Sequence, residues 1–186
     1  MCMSEVILVT GGARSGKSRM AEKMASRFKR VVYIATAVPL DEEMKQRIQR
    51  HKKRRPSGWA TVEKNRGLSA AIAKCGDADA ILVDCITVMI TNVLMDIGID
   101  WDHPNPTDLE KAESEVMKEI DEICAAAVGF TGCVILVTNE VGMSLVSEYP
   151  LGRAFRDIAG FANQRLAGIC DSVYLMISGI PLKIKG

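Results

Sequence analysis

Long apolar runs are missing from the sequence. The longest, Ala80–Val83, Val134–Val137 and Val173–Ile177, fall far short of the ~20 residues that cross a bilayer as a helix, so no membrane span is expected. Met1–Val9 lacks a basic region followed by an apolar stretch and a cleavage site, which argues against a secretory signal and for the cytoplasm. An excess of one charge is missing too. Lys and Arg number 24 against 23 Asp and Glu, so no global field draws the chain to nucleic acid or an anionic membrane. Cys2, Cys75, Cys85, Cys124, Cys133 and Cys170 lie far apart without CxxC or Cys/His ligand spacing. That excludes the usual zinc and disulfide frameworks and favours reduced, mostly buried thiols.

What remains is an ordinary globular composition, 48% apolar and 25% charged, in 186 residues, about one domain's worth. One domain over residues 1–186 is therefore expected, without internal repeats or low-complexity tracts. Short β-branched runs at Val6–Thr10, Val31–Thr36, Ala80–Asp84, Val134–Thr138 and Val173–Ser178 read as strands buried on both faces of a parallel sheet. Helical periodicity separates them. Arg19–Phe28 has one apolar stripe, and Thr107 with Glu110 predicts a capping box for a helix striped by Leu109, Ala112, Val116, Ile120, Ile123 and Ala127. Arg153–Leu166 is a third helix. Alternating strands and helices imply an open α/β sheet with helices on both faces and a ligand at the carboxyl ends of its strands.

Gly11-Gly12-Ala13-Arg14-Ser15-Gly16-Lys17-Ser18 matches GxxxxGK[ST] directly after the first strand and before the first helix, the context a phosphate loop requires. Its glycines let backbone amides converge on phosphate oxygens at a helix N-terminus. Lys17 is expected to reach the β and γ phosphates and Ser18 to ligate Mg²⁺. A second Mg²⁺ partner is expected at the end of a neighbouring buried strand, where Asp84 stands. Asp84 could instead cap a helix beginning near Thr87. Glu140 is a second candidate for the metal. No NKxD guanine motif occurs, and Asp157–Gly160 spells DxxG inside a helical pattern, where it is coincidental.

Asp41–Arg55 (DEEMKQRIQRHKKRR) reads as a short helix with Asp41 as N-cap and acids in its first turn. Met44, Ile48 and His51 share one face. The basic residues of this segment could form a solvated face, a nucleic-acid patch, or a site for a polyphosphate held by the phosphate loop. His51 could be structural. Beside a bound triphosphate, a neutral imidazole is a competent nucleophile. His103 lies in a polar loop with little to recommend it.

Beyond these readings, the chain resembles the bifunctional adenosylcobinamide kinase and adenosylcobinamide-phosphate guanylyltransferase family of cobalamin biosynthesis. The resemblance rests on ILVTGGARSGKSR (Ile7–Arg19), YIATA (Tyr33–Ala37), DEEMKQRIQRHKKRRP (Asp41–Pro56), VTNEVGMSLV (Val137–Val146) and GRAFRDIAGFANQRLA (Gly152–Ala167), among other stretches. It implies a P-loop NTPase fold with a RecA-like, mostly parallel sheet, and a homotrimer. His51 would be the residue that becomes guanylylated. Gly11–Ser18, Ala35, Thr36, Ala37, Lys52, Lys53, Arg54, Arg55, Glu63 and Asp84 would contact GTP. The implied reactions phosphorylate adenosylcobinamide from ATP or GTP and then transfer GMP to adenosylcobinamide phosphate, with Mg²⁺ and without nucleic acid. Another P-loop small-molecule kinase, with His51 structural, is the competing enzyme. A nucleotide-switched RNA- or DNA-binding module is disfavoured by the missing NKxD, the balanced charge and the lack of an aromatic stacking cluster.

Overall fold

The computed structural model describes residues 4–39 and 42–186; within them the side chains of Glu43, Arg47 and Arg54 are left undescribed. In chain order the elements are β1 (Glu5–Gly11), α1 (Lys17–Ala25), β2 (Val31–Ala35), α2 (Glu42–Arg54), β3 (Ala60–Glu63), α3 (Leu68–Ala73), β4 (Ala80–Asp84), α4 (Ile86–Asp96), α5 (Pro106–Gly129), β5 (Cys133–Val137), α6 (Pro150–Ile169), β6 (Ser172–Ile177) and β7 (Ile180–Lys185). The strands form one sheet in the order β3-β2-β4-β5-β1-β6-β7, parallel except for the β6–β7 hairpin.

The β-branched runs form the buried centre of this sheet because both of their faces are covered. Ile7, Val9, Leu82 and Ile135 meet Ala21 and Met24 of α1 on one side, whereas Leu8, Ile34, Val83 and Leu136 meet α3–α6 on the other. Burying each such side chain contributes on the order of 1.5–3 kcal/mol. The arrangement makes every central strand apolar throughout and sends the polar residues to its carboxyl edge, where β1, β2, β4 and β5 all end.

Several expectations shift in detail. The capping box of α5 is formed by Asn105 and Asp108, each side chain accepting the other's backbone N–H at 2.9–3.0 Å, with Pro106 at the first helical position. Thr107 and Glu110 therefore do not cap it. Proline's fixed φ suits that first position, which moves the helix start ahead of Thr107. Ala112, Val116, Ile120, Ile123 and Ala127 are buried as expected, but Leu109, in the first turn, is 40% exposed. The Asp41 cap lies outside the described residues. Asp84 does not cap α4, whose N-cap is Cys85, its side chain making no capping hydrogen bond.

Candidate active site

The phosphate loop takes its shape from glycine. Gly11, at φ 146°, sits where an added Cβ would lie 2.5 Å from the carbonyl oxygen of Met176. Gly16 (φ 97°) opens α1 in the left-handed region and packs on Gly179. That contact belongs to the β6–β7 turn, in which Ser178 and Gly179 both have positive φ, as a two-residue hairpin of this twist requires. Gly179 N–H donates to the Ser15 carbonyl at 3.0 Å, so the hairpin tip braces the loop from one side. From the other side Glu140 N–H donates to the Gly11 carbonyl at 3.0 Å.

Lys17 is buried and its Nζ donates to the Gly12 carbonyl at 2.6 Å. An ammonium held across its own loop in this way is poised over the space that the loop encloses. The Ser15 hydroxyl is buried there without a hydrogen-bond partner among the described residues. Ser18 lies half-buried one residue into α1. Ala13 and Arg14 are exposed, Arg14 at φ 55°.

The expectation that Asp84 ends the strand beside the phosphate loop is corrected by the topology. β5 intervenes, which places β4 two strands, roughly 9–10 Å, from β1. Asp84 nevertheless shares the α1 face of the sheet with Leu82 and Tyr33, because side chains alternate along each strand. Its Oδ2 accepts a 2.7 Å hydrogen bond from the Tyr33 hydroxyl and lies 3.9 Å from His51 Nδ1. Burial first, and then the Asp84 carboxylate, push the Tyr33 hydroxyl well above the ordinary tyrosine pKa, so it stays a donor. The Arg55 guanidinium stacks over the Tyr33 ring, 3.4 Å from its centroid, with Nε and one terminal nitrogen buried and without hydrogen-bond partners among the described residues.

Helix α2 is what brings His51 here. Its last turn passes over the carboxyl ends of β2 and β4, so that His51 (24% exposed) reaches Asp84 while Lys52 turns to Glu63 at the end of β3. Lys52, through a hydrogen bond and its charge, holds the Glu63 carboxyl below the usual range. A recess of about 380 Å³ follows, lined by Lys52, Arg55, Trp59, Thr61 and Glu63 among others. Lys53 is exposed, and the Arg54 side chain lies outside the described residues. Ala35 and Thr36 are buried, and Ala37 is half-buried beyond them. The Thr36 hydroxyl accepts the Cys85 N–H and donates to the Cys85 carbonyl, both at 2.8 Å, which fixes the turn beneath Asp84.

Two features escaped the sequence reading. Tyr33 reads in sequence as one more residue of a strand buried on both faces, although a phenol there needs a partner for its hydroxyl. A buried chain also joins Thr87 to Thr138 (3.1 Å), Thr138 to Asn163 (2.8 Å) and Asn163 to the Asn139 carbonyl (3.0 Å). It ties α4 and α6 to the segment beside the phosphate loop. Thr87 and Asn163 fall on buried faces of their helices and Thr138 lies buried just past β5, a polarity that periodicity alone marks as anomalous.

A parallel sheet carrying GxxxxGK[ST] between β1 and α1, with a buried lysine across the loop, defines a P-loop nucleotide-binding α/β protein. Comparison with known proteins narrows this. Residues 7–184 match the family described as cobinamide kinase / cobinamide phosphate guanyltransferase, and the chain belongs to that family of enzymes. It is 50% identical to the bifunctional adenosylcobalamin biosynthesis protein CobU of Salmonella typhimurium and 47% identical to that of Escherichia coli, each over 97% of this chain and 99% of the relative. It is 38% identical to the bifunctional adenosylcobalamin biosynthesis protein CobP of Pseudomonas aeruginosa over 96% of each chain. No helix among the described residues is long and apolar enough to cross a membrane.

Proposed function

We propose that the chain phosphorylates adenosylcobinamide with ATP or GTP and then transfers GMP from GTP to adenosylcobinamide phosphate through His51. The observation that carries the second half is the placement of His51, 3.9 Å from the mostly buried Asp84 carboxylate at the sheet edge where the phosphate loop also opens.

In the kinase step the acceptor's hydroxyl oxygen bonds to the γ-phosphorus, the bond to the β,γ-bridging oxygen breaks, the nucleoside diphosphate leaves and the hydroxyl proton passes to solvent. Lys17 and the loop amides of Gly11–Ser18 hold the triphosphate in line and offset its charge. In the transferase step Asp84 keeps the proton on Nδ1, so Nε2 is the attacking atom. It bonds to the α-phosphorus, and pyrophosphate leaves. A phosphate oxygen of the acceptor then displaces the imidazole, and the nitrogen–phosphorus bond breaks to regenerate His51 and give the GDP-linked product. Lys52, Lys53, Arg54 and Arg55 offset charge on the nucleotide, while Ala35, Thr36, Ala37 and Glu63 line its path.

The donor set suits a metal that arrives with the phosphates. No cluster of three metal-ligating side chains exists among the described residues, whereas the Ser18 hydroxyl stands at the loop, and both contacts of Asp84 fall on Oδ2, leaving Oδ1. Ser18 and Asp84 would hold Mg²⁺, which when bound supplies neutralisation of the transferring phosphate. We further infer a cytoplasmic homotrimer.

The test is the mass of the denatured protein after incubation with GTP. A GMP adduct is expected, labelled from α-labelled but not γ-labelled GTP, acid-labile and base-stable. His51→Ala should remove the adduct and GMP transfer while phosphorylation of adenosylcobinamide largely persists. Full GMP transfer by folded His51→Ala would remove His51 from the mechanism, and loss of both activities would reduce it to a nucleotide-binding residue.

A further inference from the structure

The two family stretches that the nucleotide chemistry leaves unused, TNEVGM and RDIAGFANQ, come together around a groove of about 850 Å³. It lies between the α4–α5 connection, the first turns of α5, the loop after β5 and the outer face of α6. Its size is at the upper end of small-molecule sites, roughly 300–1,000 Å³. Leu109 and Phe161 line it and are 40% and 46% exposed, apolar surface open to the groove rather than packed in the core. Gln164 adds an amide, and Asp102, Glu113 and Asp157 add carboxylates. Arg156, half-buried, lines it as well, and its guanidinium forms no ion pair or hydrogen bond with the described residues. The contrast is Arg153, one turn earlier, whose guanidinium is taken up by the carbonyls of Ser147 and Glu148 at 3.1 and 2.7 Å.

The groove adjoins the phosphate loop. Gly142, on its wall, donates its N–H to the Glu140 carboxylate at 3.0 Å, and Glu140 N–H in turn holds the Gly11 carbonyl. Asn163 of α6 fixes the same segment through the Asn139 carbonyl. A molecule seated on α6 would therefore have one end beside the bound triphosphate.

We propose that this groove binds the acceptor of both transfers, a corrinoid with apolar ring faces, an amide-bearing periphery and, after the first step, a phosphate. The proposal rests on the function proposed above. Leu109 and Phe161 cover the ring face, Gln164 pairs with a peripheral amide, and Arg156 takes the phosphate of cobinamide phosphate. The single uncommitted guanidinium predicts discrimination: Arg156 matters for the phosphorylated acceptor and little for the unphosphorylated one.

Equilibrium dialysis of the full chain without nucleotide tests this, using the visible absorbance of cobinamide and of cobinamide phosphate. Arg156→Gln should weaken cobinamide phosphate roughly tenfold or more, the worth of one charge-assisted hydrogen bond, and change cobinamide by less than about threefold. Phe161→Asp should weaken both. Val128→Glu, on the exposed far end of α5, should bind both as the wild type does. If Phe161→Asp fails to fold, Arg156→Gln alone decides. Wild-type affinity for cobinamide phosphate in Arg156→Gln, or no binding by the wild type, overturns the proposal. The two readings fail separately: a bound corrinoid without any GMP adduct on the wild type sinks the proposed function, whereas a normal adduct with unchanged corrinoid binding in the variants sinks the groove.

Discussion

Replacing Tyr33 with Phe removes one oxygen from the centre of the site and almost nothing else. The ring keeps its buried place in β2, and the Arg55 guanidinium keeps an aromatic face to stack on. What is lost is the 2.7 Å hydrogen bond to Asp84, a carboxylate only 10% exposed that therefore has little water to replace it. A hydrogen bond to a charged group is worth about 1.5–3 kcal/mol, and removing a donor beneath a desolvated carboxylate exposes most of that value. Global stability in urea should fall by that order. If Asp84 holds the His51 ring for attack, the same loss reaches the chemistry, because a carboxylate freed from Tyr33 no longer fixes Nδ1.

Formation of the GMP adduct, followed by quenched-flow mass measurement at saturating GTP, should then slow by roughly tenfold to a hundredfold, the kinetic equivalent of that energy. The GTP concentration giving half-maximal rate should change far less, since the phosphate loop is untouched. An adduct rate within about twofold of wild type, in a protein destabilised as expected, would refute the reasoning and make the Tyr33–Asp84 pair a folding contact only. A variant unchanged in both would refute even that.

Gly11→Ala should lower the denaturation midpoint and abolish nucleotide binding, because its φ of 146° and the Met176 carbonyl 2.5 Å from the new Cβ leave no room, while Gly12→Ala, with nothing within 4 Å, should melt close to wild type. Cys170 gives a pH prediction. Burial, and secondarily Cys124, push its thiol up to about 12. A raised pKa in the folded state contributes stability that is present below the unfolded value of about 8.5 and is lost as pH rises, with a slope of up to about 1.4 kcal/mol per pH unit. Urea midpoints of Cys170→Ala should therefore fall less steeply than wild type between about pH 8.5 and 10.5, and parallel curves would contradict the assignment.

What the sequence made legible was whatever one period or one motif encodes. Central strands such as Ala80–Asp84 are apolar on both faces, and α1 and α6 have stripes, so each was visible without its neighbours. β3 was not, because Ala60–Glu63 is an edge strand with little burial and so no apolar pattern. β7 is exposed throughout, and Pro181 within it argues against a strand except at an edge, which is where it lies. Helix α4 is buried around most of its circumference and presents no stripe to detect. At the site, the phosphate loop was readable because all its residues are consecutive. The Tyr33–Asp84–His51 cluster joins three elements through sheet pairing, and no local pattern records which strand adjoins which.

That strand order also bears on the two transfers proposed above, each of which starts from its own nucleoside triphosphate. With β5 between β1 and β4, the strands that lead into the phosphate loop and into Asp84 lie roughly 9–10 Å apart along one edge. A nucleotide anchored by Lys17 would offer its γ-phosphate at the loop and its α-phosphate toward His51 without changing register. The acceptor would then move less than the chemistry does. Its hydroxyl would be needed near the loop in the first step and its new phosphate one site along in the second, and both positions adjoin the segment that Glu140 and Asn163 hold in place. In that arrangement the strand inserted between β1 and β4 would set the spacing between the two proposed reactions.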